Sequence, residues 1–231
     1  FWKSRKIYVW RKESHVLKIT KGVWRKRSIM MNRIIFATSN EGKMKEVRMI
    51  LSDLEIPVLS LKEAGIQGDI VEDGKTFEEN AIIKVNAIRP FTDGIILADD
   101  SGLEVDALDK KPGIYSARFM GEDTPYTVKN QAIIDAVKDV PDDQRTARFV
   151  CAIAAGMPDG TVFTTRGTIE GIIAHEPAGE GGFGYDPIVY VPELHKTTAE
   201  LSPEEKNEVS HRGKALRAMK EEIRKYQKRE I

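Results

Sequence analysis

The sequence predicts an α/β fold built as one unit, and three observations carry that expectation. Strand and helix signals alternate from residue 32 onward, the helix starts carry capping residues, and no internal repeat or low-complexity linker breaks the pattern. A chain of 231 residues with 41% hydrophobic and 31% charged residues can bury a substantial core and is ordinary for a globular protein. No run approaches the ~18 apolar residues of a membrane-spanning helix, so no membrane partner is expected.

The elements follow in order. Ile34-Ile35-Phe36-Ala37 is a short apolar run that breaks into Thr38-Ser39-Asn40-Glu41-Gly42-Lys43. Beyond the break Met44, Val47, Ile50 and Leu51 share one helical face, with Asn40 as the expected N-cap. A second apolar run extends from Ile56 to Leu61, and residues 65–75 form a turn region rich in Gly and Asp. Thr76-Phe77-Glu78-Glu79 reads as a capping box in which Glu79 reaches back to the cap; its helix runs to about Ile88, before Pro90. Ile95-Ile96-Leu97-Ala98 has the character of a buried strand ending at Asp99-Asp100-Ser101-Gly102. Leu103, Val105 and Ala107 then alternate with Glu104 and Asp106 as a half-exposed strand.

An amphipathic helix is expected from Tyr126 to Val140, through Val128, Ala132 and Ala136. Strands over 148–155 and 161–169 flank the turn Met157-Pro158-Asp159-Gly160 as a hairpin. A further strand lies near 188–191. The last helix starts near Ser210 and keeps Leu216, Met219, Ile223 and Tyr226 on one side.

The zero net charge is the sum of two unlike pieces. Residues 1–31 hold ten of the 36 Lys/Arg and one of the 36 Asp/Glu, so a charge of +9 precedes a body of −9. Such an arm suits nucleic acid, and its aromatic residues make contact possible, yet no recognition motif is visible. Its longest apolar run, Ile7-Tyr8-Val9-Trp10, is too short for a signal peptide. Residues 1–30 are therefore expected to be an extraneous or disordered basic extension, and 31–231 the functional domain. Cys151 is the sole cysteine, so an intrachain disulfide and a Cys-based zinc site are excluded. Its apolar neighbours suit a small buried side chain, and the cytosol is the expected compartment.

Four constellations are suited to chemistry. The loop Thr38 to Lys43 joins a strand to a helix N-terminus, where orphan N–H groups, the helix dipole and a lysine can meet an anion. It is not a P-loop: Ala37 and Met44 stand where that motif needs Gly and Ser/Thr. Alone it better suits an ordinary capped helix, with Asn40 as N-cap and Lys43 in solvent. Asp99-Asp100-Ser101-Gly102 falls at a strand's carboxyl end, where α/β ligands gather. Two close acids there suit a Mg²⁺ ion, and the same residues suit an Asx turn.

Lys84 sits in the apolar stripe of the helix after Thr76 and must either snorkel or find an anion; Glu72, in the preceding loop, is a metal ligand or a solvated acid. Gly179-Glu180-Gly181-Gly182-Phe183-Gly184-Tyr185-Asp186-Pro187 combines close backbone approach with flat rings that can stack on a base. Finally, Ser202-Pro203-Glu204-Glu205-Lys206 and Ser210-His211-Arg212-Gly213 mark two helix starts and bring Lys206, His211 and Arg212 near one another in the chain. A polyphosphate on a net-acidic body needs such local cations.

Together with Pro112-Gly113-Ile114-Tyr115-Ser116-Ala117-Arg118, these blocks resemble the inosine triphosphate pyrophosphatase family, in order, over residues 32–228. The resemblance implies an elongated mixed β-sheet with flanking helices, in two lobes around a central cleft. It implies Mg²⁺-dependent hydrolysis of ITP, dITP and XTP to the monophosphate and pyrophosphate, by a homodimer. Thr38, Ser39, Asn40, Glu41, Gly42 and Lys43 would hold the triphosphate, and Lys84 would face it. Glu72, Asp100 and Asp99 would form the metal site, with Asp100 as the base that activates water. Ser101 would contact the nucleotide, and Phe183, Gly184, Tyr185 and Asp186 would embrace base and sugar with Phe183 stacking. Lys206, His211 and Arg212 would complete the pocket. Position 39 is often Gly in the family, so Ser39 is a mild departure. A non-catalytic binding module using the basic arm, or a pyrophosphatase of modified pyrimidines, are the alternatives.

Overall fold

The computed structural model describes residues 33–38, 40–68 and 70–229. The expectations for Ser39 and for residues 1–30 lie outside the described residues. Among the described residues eight strands form one mixed sheet: β1 (Ile34–Phe36), β2 (Val58–Ser60), β3 (Ile95–Val105), β4 (Lys111–Pro112), β5 (Thr146–Gly156), β6 (Val162–Ile173), β7 (Val189–Val191) and β8 (Lys196–Thr197). Their order is β2-β1-β3-β5-β6-β7-β8, with β4 paired to β3 off that path. β1 runs parallel to both β2 and β3, because helical crossovers separate them; the remaining pairs are antiparallel. The expected hairpin is present as β5 and β6 around 157–160.

Side-chain alternation sorts the core onto the two sheet faces. Ile34, Phe36, Ile95, Leu97 and Ile153 meet Met44, Val47 and Leu51 of α1 (Glu41–Leu51) and Leu216, Met219 and Ile223 of α5 (His211–Arg229), which follows the short helix α4 (Pro203–Val209). Ile35, Ile96, Ala98 and Ala154 meet Ala81, Val85 and Ile88 of α2 (Phe77–Ile88). Each such Leu or Ile contributes about 1.5–3 kcal/mol by leaving water. Burial on both faces is why β1 and the start of β3 read as continuous apolar runs. Farther along, Leu103, Val105, Phe149 and Ile169 form a separate cluster with Ile133 and Ile134 of α3 (Tyr126–Ala136) and with Val189. The long strands β3, β5 and β6 thus pass through two packed regions, and the site lies along β3 between them.

Three local expectations need correction. β3 does not end at Ala98: it is paired with β5 from Ile96 to Val105, so Asp99 and Asp100 are mid-strand. Glu79 does not close the capping box on Thr76. Thr76 Oγ1 accepts from Glu79 N–H, while Glu79 Oε2 accepts from Lys75 N–H at 2.6 Å. Helix α3 stops at Ala136 rather than Val140, because the fully buried Arg145 donates to Val137 O at 3.1 Å and Pro141 follows. Arg145 also donates to Ile173 O and Ala174 O, fastening that helix end to β6.

Candidate active site

The loop after β1 is organised by its own side chains. Thr38 Oγ1 accepts from Asn40 N–H at 3.2 Å, and Asn40 Oδ1 accepts from Lys43 N–H at 3.0 Å. Asn40 is therefore the N-cap of α1, as its place before an apolar-periodic segment predicts. Lys43 lies one turn in, and its ammonium stands 2.9 Å from Asp99 Oδ2.

Because β3 continues, successive side chains take opposite faces. Asp99 turns toward α1 and α5, where Lys43, Arg212 (3.2 Å) and the Ser101 hydroxyl (3.0 Å) surround its carboxylate. Burial pushes this acid up, but Lys43, Arg212 and Lys84 outweigh it and hold Asp99 well below the usual carboxylate range. Its oxygens are committed to cations, so the expected metal trio of Glu72, Asp99 and Asp100 does not form. Among the described residues no three acids, histidines or cysteines gather for an ion.

Asp100 turns the other way, toward α2. Its Oδ2 accepts from Asn80 Nδ2 at 2.9 Å, and its Oδ1 lies 3.5 Å from Lys84 Nζ. Lys84 also stands 2.8 Å from Glu72 Oε2 and donates to Asp99 O at 2.8 Å. The lysine in the apolar stripe has found anions rather than snorkelled. Burial pushes Asp100 up to about 6; Lys84 and Asn80 oppose that rise and Glu72 adds to it. Two carboxylates sharing one ammonium form a hard-oxygen donor pair with one positive charge too few, which fits a divalent ion of the Mg²⁺ type. Glu72 and Asp100 fit that group; Asp99 does not.

The glycine-rich segment is folded around Asp186. This buried carboxylate accepts from Phe183 N–H at 2.7 Å, from Thr198 Oγ1 at 2.8 Å and from Lys206 Nζ at 2.6 Å. Gly182 is held at φ +71°, and a Cβ there would lie 2.2 Å from Asp186 Oδ2, so only glycine fits. Asp186 thus orders the loop that presents Phe183. The Phe183 ring remains 38% exposed, with Lys206 Nζ 4.8 Å from its centroid and the Arg212 guanidinium 5.7 Å away. Tyr185 packs edge-on against Tyr126 and donates its hydroxyl to Ser116 O, which ties the loop to the segment after β4.

Helix α5 opens on Ser210, whose Oγ accepts from Gly213 N–H at 3.0 Å. His211 is buried and stacks on Phe149 at 5.0 Å; its Nδ1 has no hydrogen-bond partner among the described residues. Burial first, then Arg212 and Lys206, lower its pKa well below the ordinary histidine value, so the ring is neutral. Arg212 is divided between Asp99 and Glu46 of α1.

These groups meet in one cleft of about 460 Å³, within the roughly 300–1,000 Å³ usual for small-molecule sites. Thr38, Asn40, Lys43, Glu72, Lys84, Asp99 and Ser101 line it together with Phe183, Gly184, Tyr185, Asp186, Lys206, His211 and Arg212. Asp100 is not among the lining residues; its Oδ1 lies 3.5 Å from Lys84 Nζ, which is. Glu41 is exposed and does not line the cleft, and Gly42 sits beneath the Phe183 ring, where a Cβ would be 3.2 Å from ring carbons. Sequence reasoning missed Glu46, Asn80, Tyr126 and Phe149. Only Glu46 carried a signal, one helical turn from Lys43 on the same face.

The sequence model of the Ham1 family matches residues 34–222, which includes every described residue of this cleft. The chain belongs to the Ham1 family. It is 50% identical over 185 residues to a protein named dITP/XTP pyrophosphatase from Desulforamulus reducens, covering 80% of this chain and 92% of that one. It is 46% identical over 191 residues to a protein of the same name from Bacillus subtilis, covering 83% and 96%. The Ham1 fold is shared with solved structures: a HAM1 protein from Coxiella burnetii superposes with a TM-score of 0.77 at 41% identity, over 84% of this chain and all of that one. The Ham1 protein of Staphylococcus aureus gives 0.76 at 40% identity, over 84% and 99%.

Proposed function

We propose that this Ham1-family chain is a Mg²⁺-dependent pyrophosphohydrolase of deaminated purine nucleoside triphosphates. ITP, dITP and XTP would be cut to the monophosphate and pyrophosphate, clearing them from the nucleotide pool. One observation carries this: Glu72 and Lys84, with Asp100 3.5 Å from that lysine, line the same cleft as an aromatic ring flanked by cations, and Lys43 and Arg212 of the cleft meet at Asp99. That is the arrangement a polyanionic tail attached to a flat base requires. The relatives named dITP/XTP pyrophosphatase support the same substrate class.

The chemistry follows from the placement of the groups. Glu72 and Asp100 would hold Mg²⁺, which when bound supplies charge neutralisation and Lewis acidity at the phosphates. Asp100 accepts the proton of the water that attacks the α-phosphorus. Lys43, the N–H groups at the start of α1, and Lys84 stabilise charge building on the departing pyrophosphate. Phe183 stacks on the base, while Lys206, His211 and Arg212 enclose its edge. Donors aimed at a 6-keto oxygen are left unpaired by the amine of adenine, which is therefore rejected strongly.

A cytosolic homodimer belongs to the same proposal, with 31–231 as the catalytic unit; for a chain starting at Met31, light scattering tests the dimer and pyrophosphate release from ITP tests the catalytic unit. Among the described residues no helix is long and apolar enough to cross a membrane. Pyrophosphate release from ITP, XTP and the four common triphosphates tests the substrate assignment. ITP and XTP should exceed ATP by at least about a hundredfold in kcat/KM; equal rates on all six would refute the purine selectivity.

A further inference from the structure

We propose that Asn80 is a positioning residue that locks the Glu72 loop and the Asp100 carboxylate into one unit. This rests on the proposed role of Glu72 and Asp100 as the ion-holding acids. Asn80 is fully buried in the first turns of α2. Its Oδ1 accepts from Gly74 N–H at 2.8 Å, and its Nδ2 donates to Asp100 Oδ2 at 2.9 Å. The first bond fixes the amide's orientation, since only the oxygen can accept from a backbone N–H. The nitrogen is thereby forced toward Asp100.

The consequences reach both acids. With Oδ2 occupied, Asp100 turns Oδ1 toward Lys84, the ammonium that Glu72 also meets. Gly74, two residues beyond Glu72, is the other end of the tie. A Cβ at Gly74 would lie 2.6 Å from Asn80 Oδ1, 2.8 Å from Glu79 Cβ and 2.9 Å from Asn80 N, so the loop can approach this closely only as glycine. The described residues of 66–75 lie in no helix or strand, and Arg118 supplies a further tether by donating to Glu72 O at 3.4 Å. The spacing between the two carboxylates is thus set by a buried amide that does not itself line the cleft. Outer partners of this kind are worth ~10–100-fold in metal affinity or activity.

Two variants test the assignment. Asn80→Leu removes both hydrogen bonds at nearly constant volume. Gly74→Ala keeps the Asn80–Asp100 bond and displaces the loop from the other side. Each is compared with the wild type by titration with Mn²⁺ alone, read by the paramagnetic resonance of the free ion, and by kcat and KM for ITP at saturating Mg²⁺; circular dichroism checks the fold. The expected result is a Mn²⁺ dissociation constant raised about 10–100-fold and a matching fall in kcat, with KM for ITP within about threefold of wild type. A folded variant that binds Mn²⁺ within twofold of the wild type overturns the proposal, as does a defect confined to KM or a wild type that binds no Mn²⁺. Should Asn80→Leu fail to fold, Gly74→Ala decides alone. If the wild type binds Mn²⁺ but releases no pyrophosphate from ITP, the proposed function fails while the Mn²⁺ comparison still settles the role of Asn80.

Discussion

Asp99 and Asp100 are neighbours in β3, yet their carboxylates occupy opposite faces of the sheet and opposite electrostatic states. Asp99 is surrounded by Lys43 and Arg212 and stays ionised far into acid, whereas burial pushes Asp100 up to about 6. One acid organises the cation cluster and the other is poised to exchange a proton. Their amide variants should therefore separate structure from chemistry. Asp99→Asn leaves the buried Arg212 and the part-exposed Lys43 without their shared anion and should cost about 3–5 kcal/mol in urea denaturation. Asp100→Asn should leave the fold intact and lower kcat by at least about a hundredfold.

The pH dependence follows from the same contrast. Asp100 acts as a base only when ionised, so kcat/KM at limiting Mg²⁺ should fall about tenfold per unit below pH 6 and level off above it. Its folded pKa lies above the unfolded value of 3.8, so the folded state binds the extra proton in that window. Acidification from pH 6 toward 4 should thus stabilise the wild type relative to Asp100→Asn. Urea denaturation of both proteins across this range checks the sign; a constant difference would contradict it.

Much of this architecture was legible in the sequence, because its signals are local. Asn40, Thr76 and Ser202 cap their helices as expected, and the hairpin turn at 157–160 stands where Pro-Asp-Gly places it. Lys84 was recognisable from an ammonium set among apolar positions. The division of Asp99 from Asp100 was not legible. Asp-Ser-Gly has turn chemistry, and only pairing with β5 at each residue from Ile96 to Val105 keeps it extended. Asn80 and Phe149 escaped for a related reason: their partners Asp100 and His211 lie 20 and more residues away, beyond any spacing rule.

Phe183 should act on binding alone. Its ring is 38% exposed, so Phe183→Ala should fold normally. Loss of a stacked base is worth ~1–3 kcal/mol, or about 5–150-fold in KM for ITP, with kcat little changed. Steady-state kinetics with ITP would contradict the stacking role if KM stayed at the wild-type value.

Removing divalent ions should stop turnover without unfolding the chain. Lys84 bridges Glu72 and Asp100, so without the ion the acid pair keeps one cation and only one charge is left unbalanced. In excess chelator, far-UV circular dichroism should be unchanged while pyrophosphate release ceases, and added Mg²⁺ should restore it. A chelator-induced loss of helix would instead mean that the ion is structural.

The most direct measurement is phosphorus NMR of the products formed from ITP. Attack at the α-phosphorus, with Asp100 as base, yields inosine monophosphate and pyrophosphate in equal amounts, and no inosine diphosphate at any time point. Accumulation of the diphosphate with inorganic phosphate would place the cut at the γ-phosphoryl group and contradict the assignment.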